Sequence, residues 1–168
     1  MRSPFPRGWV WVGDDPAAVE RARDTYPIGH VLEASLEASP APSPAARFAA
    51  VFSGTQFASG ASYIVRIGAA WVPAADGRLR IEVGVAAEPN GLDDELAGAV
   101  LAGARTVEAP PAGLLRFDRA LVHPVDCKVA MYRRAGRVLA GLLADPPPDE
   151  RALEVRAVEL WRDDARSS

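Results

Sequence analysis

The sequence predicts an α+β fold in which a sheet carries helices mainly on one face. Three observations carry the prediction. Residues 63–71 and 79–85 alternate apolar and polar side chains with period two. Residues 93–107 and 127–143 repeat apolar side chains at helical spacing. The stretch 114–143 joins both kinds: a strand over 114–122, a turn at His123-Pro124-Val125-Asp126, then a helix. A strand and an amphipathic helix each need a partner to bury their apolar side, so these segments cover one another.

The first eight residues read as a loose end. Trp9-Val10-Trp11-Val12 is a short apolar strand, at a sheet edge or across an open face. Asp15-Pro16 opens a helical turn, with proline in the first turn where its missing N–H is harmless. Pro27 and Gly29 stop it. Residues 30–36 read as a strand around Val31 and Leu32. Pro40, Pro42 and Pro44 make 39–46 an extended connector. Residues 47–52 form a short apolar segment. Residues 53–60 read as a Gly- and Ser-containing loop whose backbone amides could cradle an anion. The GK[ST] ending of a phosphate-binding loop is absent there.

Tyr63, Val65, Ile67, Ala69 and Trp71 share one face of the next strand, with Arg66 opposite. A turn over 73–77 leads to Leu79, Ile81, Val83 and Val85, which alternate with Arg80, Glu82 and Gly84. The two strands read as a hairpin with one buried face. The face bearing Arg66, Arg80 and Glu82 reads as solvated, with a binding face as the alternative.

Asp93 is the expected cap of the 93–107 helix, and Leu92 packs inward ahead of it. Leu96, Val100 and Val107 form its apolar line, and Gly98 and Gly103 permit close approach to the sheet. Pro110 and Pro111 make 108–113 a loop. Asp126 is the expected cap of the 127–143 helix, whose stripe is Met131, Ala135, Val138 and Leu142. Pro146, Pro147 and Pro148 end it. Residues 151–161 read as a strand on Val155, Val158 and Trp161, with a helix through Leu153, Ala157 and Leu160 as the alternative. In domain terms, 1–61 is an N-terminal extension and strand/loop region packed on the main domain. Residues 62–161 are its core and 162–168 a flexible tail.

At 168 residues, 49% of them hydrophobic, the chain suffices for one domain with an extension. Lys and Arg total 19 against 22 Asp and Glu, a formal charge of -3. That balance removes a global electrostatic argument for nucleic-acid binding and leaves only local patches. The single Cys127 permits neither an intrachain disulfide nor a cysteine metal cluster. With no signal-like segment and no apolar run of transmembrane length, a cytoplasmic protein without a membrane partner is expected. No cofactor is implied.

His30 and His123 are the two imidazoles and share no metal-binding motif. Cys127 follows His123 by four residues at a helix start, where a thiolate with an imidazole base is one reading. A packed cysteine is the plainer one. Asp93, Asp94 and Glu95 would suit acid-base or divalent-ion chemistry, but acids at a helix start already complement its dipole. Trp9, Trp11, Trp71 and Trp161, with Phe57 and Tyr63, are candidates for an aromatic-lined ligand pocket; core packing is the plainer reading. Lys128, Arg133, Arg134 and Arg137 lie off the apolar stripe of their helix. They are candidates for RNA phosphate contacts, or an ordinary solvent face.

Residues 62–143 resemble domain IV of elongation factor G. Gly54 and Gly60 ahead of Tyr63-Ile64-Val65-Arg66-Ile67 resemble that domain's glycine-rich approach to a strand. Residues 92–107 resemble its first helix. Residues 117–143 are the most specific part, because the family commonly has a His-x-Val-Asp passage like His123-Pro124-Val125-Asp126 before its second helix. The resemblance covers about half the chain and implies a ribosomal-protein-S5-domain-2-like sandwich with a left-handed crossover, an exception to the usual handedness. It implies a stand-alone domain without the GTPase portion, and His123 and Asp126 as turn residues rather than catalysts. The 106–116 stretch is short and proline-rich and lacks the family's elaborate basic tip, so translocation activity does not transfer. The function expected is a noncatalytic binding module associated with the ribosome or structured RNA. The alternative is a small-molecule-binding protein or unconventional enzyme with an aromatic-lined pocket. A structural or homo-oligomerisation module is the third.

Overall fold

The computed structural model describes residues 1–5, 8–14, 30–37, 45–56, 62–74, 78–85, 92–108, 110–122 and 127–162. At 5, 30–37, 55, 56, 62, 85, 118 and 121 the description is of the backbone. Seven strands are formed: β1 (Arg2–Phe5), β2 (Gly8–Gly13), β3 (His30–Glu37), β4 (Arg47–Gln56), β5 (Ser62–Pro73), β6 (Arg78–Val85) and β7 (Gly113–Leu121). The three described helices are α1 (Asp94–Ala104), α2 (Val129–Ala144) and α3 (Glu150–Arg162). The strands make one open sheet in the order β1-β2-β4-β5-β7-β6-β3, with β1 and β3 at its edges. Only β6 and β7 pair in parallel; every other neighbouring pair is antiparallel.

The expected alternation is present, but the expected hairpin is not. β5 pairs with β4 and β7, and β7 separates it from β6. The alternation in 63–71 and 79–85 reports burial on one side, and it is satisfied equally well when a third strand lies between the two. Val65, Ile67, Ala69, Trp71, Leu79, Ile81 and Val83 all reach one core with Leu115 and Phe117 of β7. α1 lies against β6, α2 against β4 and β5, and α3 against α2 and β1. The helices therefore cover one face of the sheet, as the pattern predicted.

Four local readings are corrected. The first residues are not a loose end, since Arg2–Phe5 pairs with β2, which in turn is an internal strand. Residues 53–56 are not loop but the end of β4, paired to β5 from Ser53↔Val65 to Gln56↔Ser62. Ladder hydrogen bonds there outweigh the weak strand preference of Ser and Gly. Residues 151–161 are helical. Pro146 to Pro148 clear the backbone, Asp149 Oδ1 accepts from the Ala152 N–H at 2.8 Å, and Leu153, Ala157, Leu160 and Trp161 are buried at helical spacing. Val155, on which the strand reading leaned, is 53% exposed. α2 begins at Val129 behind Lys128, whose side chain makes no cap; Asp126 lies outside the described residues.

The cap at Asp93 is as expected: its side chain accepts from the Leu96 N–H at 2.7 Å. α1 stops at Ala104, three residues early, where Thr106 Oγ1 donates to the Gly103 carbonyl at 2.7 Å. At the far end of α2, Arg47 donates to the Leu143 carbonyl at 2.8 Å from the start of β4. A cation there meets unpaired carbonyls and the negative end of the helix dipole.

Gly103 of α1 approaches a helix, not the sheet, and Gly98 approaches neither. A Cβ at Gly103 would collide with the Arg133 carbonyl, and one at Gly136 with the Val100 carbonyl. Each helix thus presents a glycine to the other's backbone. Gly98 has nothing within 4 Å of its missing Cβ. Gly136→Ala should therefore destabilise the fold by about 1–3 kcal/mol through overpacking, more than its helix-propensity gain. Gly98→Ala should stabilise it by about 0.5–1 kcal/mol. Urea unfolding of the two variants checks the opposite signs.

Candidate functional site

The start of α2 gathers chemistry-bearing groups. Tyr132 is fully buried, and its hydroxyl lies 3.4 Å from the Sγ of half-buried Cys127. Burial, and then the contact with Cys127, holds the Tyr132 phenol far above its usual range. It stays protonated and serves as a neutral partner for the thiol rather than as a base. His123 lies outside the described residues, as does Phe57, and the side chain of His30 is not described. Among the described residues no group of three or more His, Cys, Asp and Glu could hold a metal ion. Asp93 is committed to its cap, while Asp94 and Glu95 are exposed in the first turn of α1.

The four cations of the basic helix do not form one patch. The Lys128 ammonium sits over the Tyr63 ring at 5.0 Å, toward β5. The Arg134 guanidinium lies over Trp161 of α3 at 6.0 Å. Arg133 is exposed. Half-buried Arg137 lines an open groove of about 540 Å³ with Thr106, Glu108, Asp145, Arg156 and Leu160. Arg133 and Arg137 remain four residues apart on one side of α2. The groove has cations and carboxylates in its wall, so it suits a polar ligand better than an aromatic one.

The four tryptophans are distributed over three places. Trp71 is 1% exposed in the core, with the Arg47 guanidinium 5.4 Å above its ring. Trp161 is 8% exposed between α3 and α2. Trp9 and Trp11 lie on the opposite side of the sheet, out of phase with buried Val10 and Val12. Trp9 stacks on Phe52 at 5.6 Å and 27°, and the Arg2 guanidinium covers Trp9 at 5.9 Å and Trp11 at 5.4 Å. Phe48, Phe52, Arg116 and Arg119, on that same side, were not singled out from the sequence. Their signal was the out-of-phase half of the alternation, which reads as plain solvated surface until the register aligns it across strands.

No family model matches this chain, and no curated protein matches it. No described helix is long and apolar enough to cross a membrane.

The buried phenol makes a pH prediction. An unfolded tyrosine ionises near 10.0, whereas the folded phenol resists ionisation. Between those points the native state holds a proton that the unfolded state has lost. Stability from this group is therefore fully present below about pH 10 and falls above it by about 1.4 kcal/mol per pH unit. Tyr132→Phe should flatten that decline, as read from urea midpoints at pH 9 and pH 11.

Proposed function

We propose that this protein is a noncatalytic binding module, like domain IV of elongation factor G, that associates with the ribosome or structured RNA. The single observation that carries the reading is the connectivity of 62–144. β5 and β6 are followed by α1, then by β7 inserted between those two strands, then by α2 on the same side. The resemblance itself rests on the passages at 54–67, 92–107 and 117–143; this element order supports the finer assignment to a ribosomal-protein-S5-domain-2-like sandwich. Arg133 and Arg137 are the phosphate contacts in this reading. The alternative, a small-molecule ligand, has its support in the groove beside Arg137 rather than in the tryptophans.

Co-sedimentation with ribosomes tests the proposal. Association should be present at low salt and should fall steeply as salt rises, because phosphate contacts release counterions. Arg133→Glu with Arg137→Glu should weaken it at least tenfold while leaving the far-ultraviolet circular dichroism unchanged. A well-folded wild-type protein that fails to sediment with ribosomes at low salt would sink the reading.

A further inference from the structure

Among the described residues no element packs on the sheet face opposite the helices. The register orders that face. Trp9 lies beside Phe52 and Phe52 beside Arg66. Trp11 lies beside Ala50, Ala50 beside Gly68 and Gly68 beside Arg119. Phe48 lies beside Ala70 and Ala70 beside Arg116. Three successive rungs therefore run from aromatic rings on β2 and β4 to a guanidinium on β5 or β7. The rungs are two residues apart, about 6.8 Å along a strand.

The two sides of this face ask for different chemistry. The aromatic side chains are half-buried, and the Arg2 guanidinium over Trp9 and Trp11 places a planar cation against their rings. Arg116 is 53% exposed and pairs at 3.4 Å with Glu82, which is 20% exposed. Toward β3 the face continues through Arg78, Arg80 and Glu82 of β6, out of phase with buried Leu79, Ile81 and Val83. There the described side chains carry a local positive surplus on a chain whose formal charge is -3. An apolar partner would strip water from the arginines without replacing it. An acidic protein surface would answer the arginines alone. A single nucleic-acid strand offers phosphates to the arginines and unpaired bases to the rings, whereas a duplex hides its base faces.

We propose that this open face binds single-stranded RNA, with bases on Trp9, Trp11 and Phe52 and phosphates on Arg66, Arg116 and Arg119. The inference rests on the RNA-associated reading above and adds to it a second surface, across the sheet from Arg133 and Arg137.

The test is anisotropy of a fluorescein-labelled 12-nucleotide uridine oligomer with the full chain. Trp11→Ala and Arg119→Glu should each weaken binding about tenfold or more, within the range of losses seen when a base loses its stacking ring or a phosphate its cation. Trp11→Phe and Arg119→Lys should keep most of it, which separates contact from misfolding; unfolding midpoints of all four are compared. Polyphosphate of equal charge binding as tightly as the oligomer would overturn the inference, since it would leave the rings without a role. Wild-type oligomer affinity in both Trp11→Ala and Arg119→Glu would also overturn it. If ribosome association survives in either case, the broader reading stands alone. Absence of both oligomer and ribosome binding would remove the two together.

Discussion

The rest of the structure depends on one pairing, the parallel contact of β6 with β7. A parallel pair cannot be closed by a tight turn, because the chain must return to the same end of the sheet before starting the second strand. α1 makes that return, lying against β6. Once β7 occupies the position beside β6, β5 is displaced one place and takes β4 and β7 as its neighbours. α2 then follows β7 and lies over β4 and β5. Helices consequently accumulate on one side. The other side keeps its out-of-phase residues, and their alignment into rungs is a product of the same insertion. With β5 beside β6, as in a simple hairpin, Arg116 and Arg119 would not stand next to Ala70 and Gly68.

In the helical layer close backbone approach accompanies the large buried side chains of Tyr132, Leu139, Leu142, Leu143 and Leu153. Gly103 and Gly136 place each of α1 and α2 against the other's carbonyls, and Gly141 lets Leu160 of α3 come close enough that a Cβ would sit 2.7 Å from its Cδ1. An alanine-rich chain gains little area per residue from burial, so it needs short distances to gain dispersion contacts. Three glycines on two helices supply them. The same packing sorts the cations of α2. Arg134 is turned to Trp161 by the seat of α3, Lys128 is turned to Tyr63 by the end of β5, and Arg133 keeps its exposure.

These facts give the molecule two unlike surfaces. On the helical side, charge is dispersed, and the groove beside Arg137 mixes both signs. On the sheet side, rings and guanidiniums are segregated by strand. Sheet surfaces sort residues in this way because cross-strand neighbours share a face and a height, so a pattern one residue wide in each strand becomes a row. Tyr132 and Cys127 belong to neither surface; their contact sits under the start of α2, where burial keeps the phenol neutral.

The sequence by itself determined what local physics determines. The α+β class, the cap at Asp93, the inward faces of β5, β6 and α2, and the strand at 30–36 follow from period, capping chemistry and branched side chains, each read within a few residues. Tertiary structure decided everything that depends on which segments meet. Alternation in 63–71 and 79–85 states that one face is buried, but it is silent on the identity of the neighbour, so the hairpin reading failed. Gly103 could have served a sheet or a helix, and only the packing of α1 on α2 chose the helix. Residues 151–161 fit both periods over a short span; Leu153, Ala157 and Leu160 prevailed because α2 offers an apolar surface to their helical face. The six aromatic candidates were equivalent as letters, yet Trp71 faces the core while Trp9 and Trp11 face away from it, since in a sheet one step along the chain reverses the side.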